Sequence, residues 1–435
     1  LVCIFVSGFI VAGRDSALAL QLVSSAGDLS SATLGGNGDS GLSVISPDGR
    51  YVLFASTAND LTPANNYNLT QPFRLNVFLR DTVNHTTTLV SVNQSGIGGG
   101  NGDSFPTGIS TPGQFALFES SASDLVANDT NIASDVFVRD LVNGTTTLVS
   151  AGLNGGVASG GSRGSVLTPD GRYVAFVGTA SNLVAGDSNN IPDVFVRDLQ
   201  AGTTTQVSLG ATSTNASTRP SSSESPEITP DGRYVVFYST ATNLVPTVKT
   251  GGEIYVRDLQ AGNTVWVSTN ARAIFASVTG SSNCVACNYS ISDDGQFVAF
   301  EVCSNSPATS TSAGIILRYS LLTGLTEFIS SNAFVPNAPF ELVHDLSLSS
   351  DGRFIAYVTR HLATNSIYEW DAQSGSNTLV SVSLDNASPA NGISAAPVIS
   401  SNGRFIAFVS SAGNLVTNLL FGSCHFYVRD KPAGE

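Results

Sequence analysis

Charge is scarce in this sequence. Asp, Glu, Lys and Arg together make up 12% of the 435 residues, about half the share usual for a soluble protein. Lysine occurs only as Lys249 and Lys431, and methionine not at all. Solubility therefore rests on Ser, Thr, Asn and Gly. The net charge is −14, and no stretch gathers Lys or Arg into a basic patch. Phosphate-backbone binding needs such a face, so a nucleic-acid partner is excluded.

Long apolar runs are missing too. LVCIFVSGFIVAG at residues 1–13 precedes the first charge, Arg14. It is short for a membrane span, which takes about 20 residues, and no other stretch approaches that length. SALA follows at 16–19, where Ala17 and Ala19 make an A-x-A-like cleavage site. The two together resemble the apolar core and tail of a secretory signal. Residues 1–19 are thus expected to be a signal remnant. Residues 20–435 would be a mature chain without a membrane span, secreted, periplasmic or at the cell surface. Cysteine is also sparse. Cys3 would leave with the signal, and Cys284, Cys287, Cys303 and Cys424 suit an exported protein with one or two disulfides.

What the sequence does hold is a repeat. SPDGRYVLF (46–54) returns as TPGQFALF (111–118), TPDGRYVAF (168–176), TPDGRYVVF (229–237), SDDGQFVAF (292–300), SSDGRFIAY (349–357) and SSNGRFIAF (400–408). The turn glycines, Gly49 to Gly403, lie 51 to 64 residues apart. A second element follows each: NVFLRD (76–81), DVFVRD (135–140 and 193–198), EIYVRD (253–258), IILRY (315–319), IYEWD (367–371) and FYVRD (426–430). Then come a Gly-containing turn and a run such as TTTLVSV (86–92).

Each unit has a simple physical reading. Pro fixes φ at the first corner of the turn, Asp suits the second, and Gly accepts φ > 0. The flanking β-branched and aromatic runs read as strands. Runs such as RYVAFV barely alternate, as expected of strands covered on both faces. Four antiparallel strands per unit, stacked against neighbours, make a propeller blade. Seven units predict an all-β, seven-bladed β-propeller as a single domain. The seventh unit lacks an outer strand, and LALQLVS (18–24) matches TTTLVSV well enough to supply it and close the ring.

The repeat [ST]-P-D-G-R-[YF]-V-[AV]-F … D-V-F-V-R-D-L resembles the TolB-type, WD-repeat-like β-propeller family across essentially the whole mature chain. That resemblance implies a secreted or periplasmic binding scaffold. Similar propellers serve as non-catalytic domains of prolyl-oligopeptidase-type peptidases. No α/β-hydrolase stretch stands among these residues, so that chemistry is not implied.

Letters that recur in most blades are scaffold. Arg-Asp ends the third strand in five blades (Arg80-Asp81, Arg139-Asp140, Arg197-Asp198, Arg257-Asp258, Arg429-Asp430), which predicts an inter-strand pairing role. GNGDSG (36–41) imitates both a dinucleotide loop and a serine-protease nucleophile stretch. Yet Ser40 stands nine residues before Gly49, and Ser104, Ser162, Ser223 and Ser394 keep that offset. A nucleophile is not needed five times, and a Rossmann loop must open a helix. The serine is read as a turn residue that caps backbone groups.

Candidate functional residues are those that break the pattern. Asp129, Asn131 and Asp135, and likewise Asp187, Asn189 and Asp193, set oxygen ligands as at the start of a calcium loop. Neither set has Gly at the sixth position or Glu at the twelfth, and Asx turns explain the same letters. Ca2+ is the one cofactor suggested. Cys303, counted outward from the turn at Asp294-Gly295, falls opposite residues 284–287, so a disulfide to Cys284 or Cys287 is expected. A lone C-x-x-C is weak evidence for zinc. Glu341, His344, Asp345, His361 and His425 form the candidate binding cluster near blades six and seven.

The loops between strands two and three, and between blades, are long and unlike one another, whereas the other turns are short and alike. Variable loops on a rigid scaffold are the usual seat of recognition. The favoured function is a non-enzymatic scaffold that binds a protein or glycan through that long-loop face. The alternatives are a metal-assisted lyase or hydrolase with a channel-mouth site, and a structural subunit of an extracellular layer or fibre.

Overall fold

The fold is a seven-bladed β-propeller of antiparallel blades, as the repeat predicts. The computed structural model describes residues 36–62, 74–127, 129–212, 221–248, 250–304, 314–333, 346–361, 364–386, 388–417 and 424–431. The chain divides into two compact units, residues 1–232 and 233–435, within the first turn of the fourth blade.

The first unit holds three whole blades. Blade one runs Ser40–Ile45, Tyr51–Ser56, Asn76–Asp81, Thr86–Leu89; blade two runs Ser104–Ile109, Phe115–Ser120, Asp135–Asp140, Thr145–Leu148. Blade three runs Ser162–Leu167, Tyr173–Gly178, Asp193–Asp198, Thr203–Gln206. Blade four begins with Ser223–Ile228 and continues with Tyr234–Ser239, Glu253–Asp258 and Asn263–Trp266.

In the second unit, helix Ala271–Thr279 leads into blade five: Cys284–Ile291, Phe297–Ser304, Gly314–Ser320, Thr326–Ala333. Blade six holds Leu346–Leu348, Phe354–His361, Thr364–Asp371 and Ser376–Leu379. One pairing, Ala333 with Thr359, joins the fifth and sixth blades into a continuous sheet. Blade seven has three strands among the described residues: Ser394–Ile399, Phe405–Ser410 and His425–Asp430. Residues 18–24, expected to add its fourth, lie outside the described residues, as does the predicted signal segment.

Strands two and three of blades one to six are largely buried on both faces, which explains why their sequences do not alternate, whereas strand three of blade seven exposes Phe426 and Val428. Every blade but the fifth, where Leu317 faces Phe300, sets one aromatic from each of these strands side by side. Phe54 lies on Phe78, Phe118 on Phe137 and Phe176 on Phe195, with ring centroids 5.6–5.8 Å apart. Such a pair contributes about 1 kcal/mol beyond its area.

The first turn locks each blade to the one before it. Ser46 Oγ donates to Asp48 Oδ1, the Gly49 amide donates to the Ser46 carbonyl (2.8 Å), and Gly49 takes φ 71°. From blade two onward the turn glycine also lies flat on an aromatic ring of the preceding blade. A Cβ on Gly171 would sit 2.3 Å from Phe115 Cδ2, and one on Gly295 2.2 Å from Tyr234 Cδ2. The arginine after the glycine covers the next ring of its own blade, as Arg172 does Tyr173 at 4.7 Å. The motif G-R-[YF] is therefore one packing unit: glycine on the neighbour's ring, arginine on its own.

The recurring serine also has its reason. Ser40 pairs with Ser56, Ser104 with Ser120 and Ser394 with Ser410, with hydroxyls 2.8–3.0 Å apart at the ends of strands one and two. Backbone capping falls to the second serine: Ser56 Oγ donates to the Asp39 carbonyl and accepts from the Ala58 amide, each at 3.0 Å. In blade three Gly178 replaces the second serine, because Leu183 occupies the space a Cβ would need. Ser162 Oγ is correspondingly buried without a hydrogen-bond partner.

Candidate functional site: the long-loop end

Because the strands alternate in direction, the two–three loops and the inter-blade loops emerge at one end of each blade. The two tight turns lie at the other. The long-loop end is knitted together near its base. Asp124 Oδ1 accepts from the Asn101 amide at 2.8 Å, and the Asp124 carbonyl accepts from the Gln94 amide at 2.8 Å. Asn182 Oδ1 accepts from the Ser159 amide (2.8 Å), and Asn414 Oδ1 from the Asn391 amide (2.9 Å). The recurring polar residue before Leu-Val is thus a clamp between loops. Only the loop tips beyond it are left to vary.

The two candidate calcium sets sit at this end, where the two–three loop enters strand three. Asn131 Oδ1 accepts from the Ala133 amide (2.9 Å) in an Asx turn, and its Nδ2 donates to Asp135 Oδ2 (2.7 Å). Asp135 Oδ1 accepts from Ser150 Oγ (2.7 Å). Blade three repeats this: Asn189 Oδ1 accepts from the Ile191 amide, its Nδ2 donates to Asp193, and Ser208 Oγ donates to Asp193 Oδ1. Glu253 takes the same position in blade four, accepting from Ser268 Oγ at 2.6 Å. The Asp that opens strand three is therefore a scaffold acceptor for the serine of T-T-T-L-V-S. In both sets the Asn presents its amide nitrogen to the carboxylate, so the oxygens arranged as cation donors reduce to two aspartates. No group of three or more His, Cys, Asp or Glu side chains suited to a metal comes together among the described residues.

These aspartates are electrostatically uneasy. Burial, and then the charge of Asp135, pushes Asp129 up to about 6. Burial pushes Asp193 up to about 6 as well, the charge of Asp187 adding to it against hydrogen bonds from Ser208 and Asn189. A carboxylate raised in the folded state favours folding in its protonated form, so its contribution fades as pH climbs from about 4 through 6. The aspartates held far below the usual range by arginine, such as Asp81 by Arg50 and Asp371 by Arg353, lose their contribution only below about pH 4. Without added divalent cations, urea unfolding should therefore give a lower stability at pH 7 than at pH 5, by about 1 kcal/mol for each raised group. Asp129→Asn with Asp193→Asn should flatten that slope; an unchanged slope would refute the assignment.

Of the predicted cluster, Glu341, His344 and Asp345 lie outside the described residues. His361 ends strand two of blade six, in register with Thr364, and His425 opens strand three of blade seven, in register with Ser410. Both positions are at the long-loop end. His425 Nε2 is buried and has no hydrogen-bond partner among the described residues. Cys287 and Cys303 bring their sulfurs to 3.1 Å, while Cys284 lies opposite Ser304 with its thiol pushed up to about 11 by burial.

The Arg-Asp element keeps its inter-strand role, with partners that the sequence reading did not name. Its Asp pairs with the turn arginine: Arg50–Asp81 at 2.7 Å, with Arg172–Asp198 and Arg233–Asp258 at 2.8 Å. Its Arg turns to the middle threonine of strand four, as Arg80 Nη1 does to Thr87 Oγ1 at 3.1 Å.

The loop tips carry exposed aliphatic side chains. Ile132 is 95% exposed with φ 55°, a left-handed backbone that a β-branched residue rarely takes. The same position in blade three is Asn190, at the same φ of 55°. Ile97, Leu153 and Leu209, on the inter-blade loops of the first unit, are also exposed. A β-branched residue standing where its own repeat uses Asn was the signal available in the sequence.

No family model matches the chain, and no curated protein sequence matches it. Solved structures do resemble it. Dipeptidyl peptidase 4 of Porphyromonas gingivalis has a TM-score of 0.52 at 11% identity, covering 85% of this chain and 50% of that one. Oligogalacturonate lyase of Vibrio parahaemolyticus has a TM-score of 0.45 at 13% identity, covering 91% and 99%. TolB of Acinetobacter baumannii has a TM-score of 0.36 at 15% identity over 71% of this chain, which spans 60% of that TolB. At 11% identity the first of these likenesses shows the fold alone.

Proposed function

We propose that the protein is an exported, non-enzymatic scaffold that binds a protein or glycan partner through its long-loop end. The observation that carries this reading is Ile132, an aliphatic side chain held almost wholly in solvent on a left-handed backbone. Strain of this kind costs on the order of 1–2 kcal/mol. A position that serves only folding would use Asn or Gly, as blade three does. Ile97 and Leu153 project from clamped loops at the same end of their blades. Aliphatic tips suit a protein surface better than a sugar, because they gain by burial against apolar side chains and offer a sugar's hydroxyls no hydrogen bond.

Two measurements separate folding from recognition. Ile132→Asn should raise unfolding stability by about 1 kcal/mol, since Asn tolerates this backbone. A variant with Ile97→Ser, Ile132→Asn and Leu153→Ser should lose partners that the wild type captures from an extracellular fraction. A control with Val83→Ser and Val142→Ser, at the tight-turn end, should keep them. Equal capture by both variants would overturn the reading.

A further inference from the structure

Blade five lacks the serine clasp. The positions that hold Ser40 and Ser56 in blade one, or Ser104 and Ser120 in blade two, are occupied by Ala286 and Val302, which face each other in register. Neither side chain can donate or accept, so the hydroxyl link between strands one and two is gone. One residue further along each strand stand Cys287 and Cys303. Both are buried, and their sulfurs are 3.1 Å apart.

We infer that Cys287 and Cys303 form a disulfide in the exported protein and that this bond replaces the lost serine clasp of blade five. A register break between Cys287 and Tyr289 lets this diagonal pair meet: Cys287 is opposite Glu301 and Cys303 opposite Val285. The strand bends there, and Asn288 takes φ 35°. The sulfurs need move by only about 1 Å to reach bonding distance. Cys284 is excluded by the same register, because it lies opposite Ser304 at the end of the hairpin.

The chemistry balances as thiol–disulfide exchange. A carrier disulfide, such as oxidised glutathione, accepts two electrons and becomes two thiols. The Cys287 and Cys303 S–H bonds break, their protons pass to the departing thiolates, and one S–S bond forms. Once the hairpin is packed the sulfurs are 7% and 2% exposed as residues, so exchange belongs to the stage before blade five closes. The finished bond should then resist mild reductants. The inference rests on export to an oxidising compartment, and is independent of what the long-loop end binds.

The test uses the full chain refolded in a glutathione redox buffer, then unfolded in guanidinium with iodoacetamide and no reductant. The sequence has no Lys or Arg between Arg272 and Arg318, so trypsin leaves all three cysteines on one peptide. A second protease cutting at Asp293 and Asp294 separates Cys303 from the others. Mass spectrometry should find Cys287 linked to Cys303, two hydrogens lighter than the thiols, and Cys284 alkylated. Alkylation at all three, or a Cys284–Cys303 link, would overturn the inference. Cys287→Ser should lower Tm by roughly 5 °C against the oxidised wild type and by nothing against the reduced wild type. Should that variant fail to fold, the peptide map of the wild type decides alone.

Discussion

Gly171→Ala should cost about 3 kcal/mol of unfolding stability, far more than glycine-to-alanine elsewhere on the surface. Two effects add. Gly171 has φ 74°, where a Cβ costs roughly 1 kcal/mol through its clash with the carbonyl. That Cβ would also stand 2.3 Å from Phe115 Cδ2 and 3.0 Å from Cε2. Phe115 is partly buried and packs against the apolar cluster shared by blades two and three, so shifting it disturbs that contact. Displacing a ring packed between blades costs about 1–3 kcal/mol more. Gly202→Ala is the control: its φ is 66°, but the nearest atom to its Cβ is Arg197 Nη2 at 3.9 Å. It should show the backbone cost alone. Urea unfolding of both variants measures the difference, and equal losses would mean that the ring contact carries no weight.

That glycine illustrates how much of the fold was legible. S-P-D-G-R-Y displays its turn openly, because local chemistry fixes φ at Pro and Gly and the motif recurs seven times. The blade count follows directly. What a line of letters does not display is which recurring letters face each other. Gly171 was read as a turn residue, and its second duty, lying on Phe115 of the previous blade, depends on packing between units. The Arg-Asp partners were obscured in the same way, yet the exceptions held the answer. Blade six keeps Asp371 although Trp370 replaces the neighbouring arginine, and it also keeps the turn Arg353, which binds Asp371 at 2.7 Å. Blade five has Gln296 for the turn arginine and Ser320 for the aspartate. Blade two has Gln114 for the turn arginine yet keeps Asp140, and Gln114 Nε2 donates to it at 3.4 Å, so the partner of the Asp is the residue after the turn glycine and not its own neighbour. The candidate site was less legible for a physical reason. Loop tips such as Ile132 do not recur, so no internal comparison separates their role from chance, and what singles Ile132 out is its backbone angle. The acidic sets had two readings, and geometry gives the recurring role to the strand-three Asp as the acceptor of a serine.

Arg318→Ala should cost about 3 kcal/mol, and the reason lies in a swap between blades five and six. Arg318 occupies the position of Leu79 in blade one and Val138 in blade two, which are apolar core residues. Trp370 in turn occupies the position of Arg80. Cation and apolar group have exchanged sides of the blade interface. Arg318 is 6% exposed and lies between the rings of Phe297 and Trp370, at 4.4 and 4.7 Å from their centroids. Its Nη2 pairs with Glu327 at 2.6 Å, and its Nη1 donates to the Gly352 carbonyl. Truncation removes two cation–π contacts, leaves the Gly352 carbonyl without this donor, and opens a cavity between two rings. Glu327 is half exposed, so water takes over its share of the ion pair and the loss stays below that of a fully buried bridge. The sharper measurement is a double-mutant cycle. Arg318→Leu and Trp370→Arg should each destabilise singly, the first by leaving Glu327 opposite an apolar chain, the second by placing two guanidinium groups in one interface. Combined, they restore the arrangement of the other blades and should recover more than 1 kcal/mol of the summed loss. Strict additivity would mean that the two substitutions are unrelated and that the swap is not one structural event.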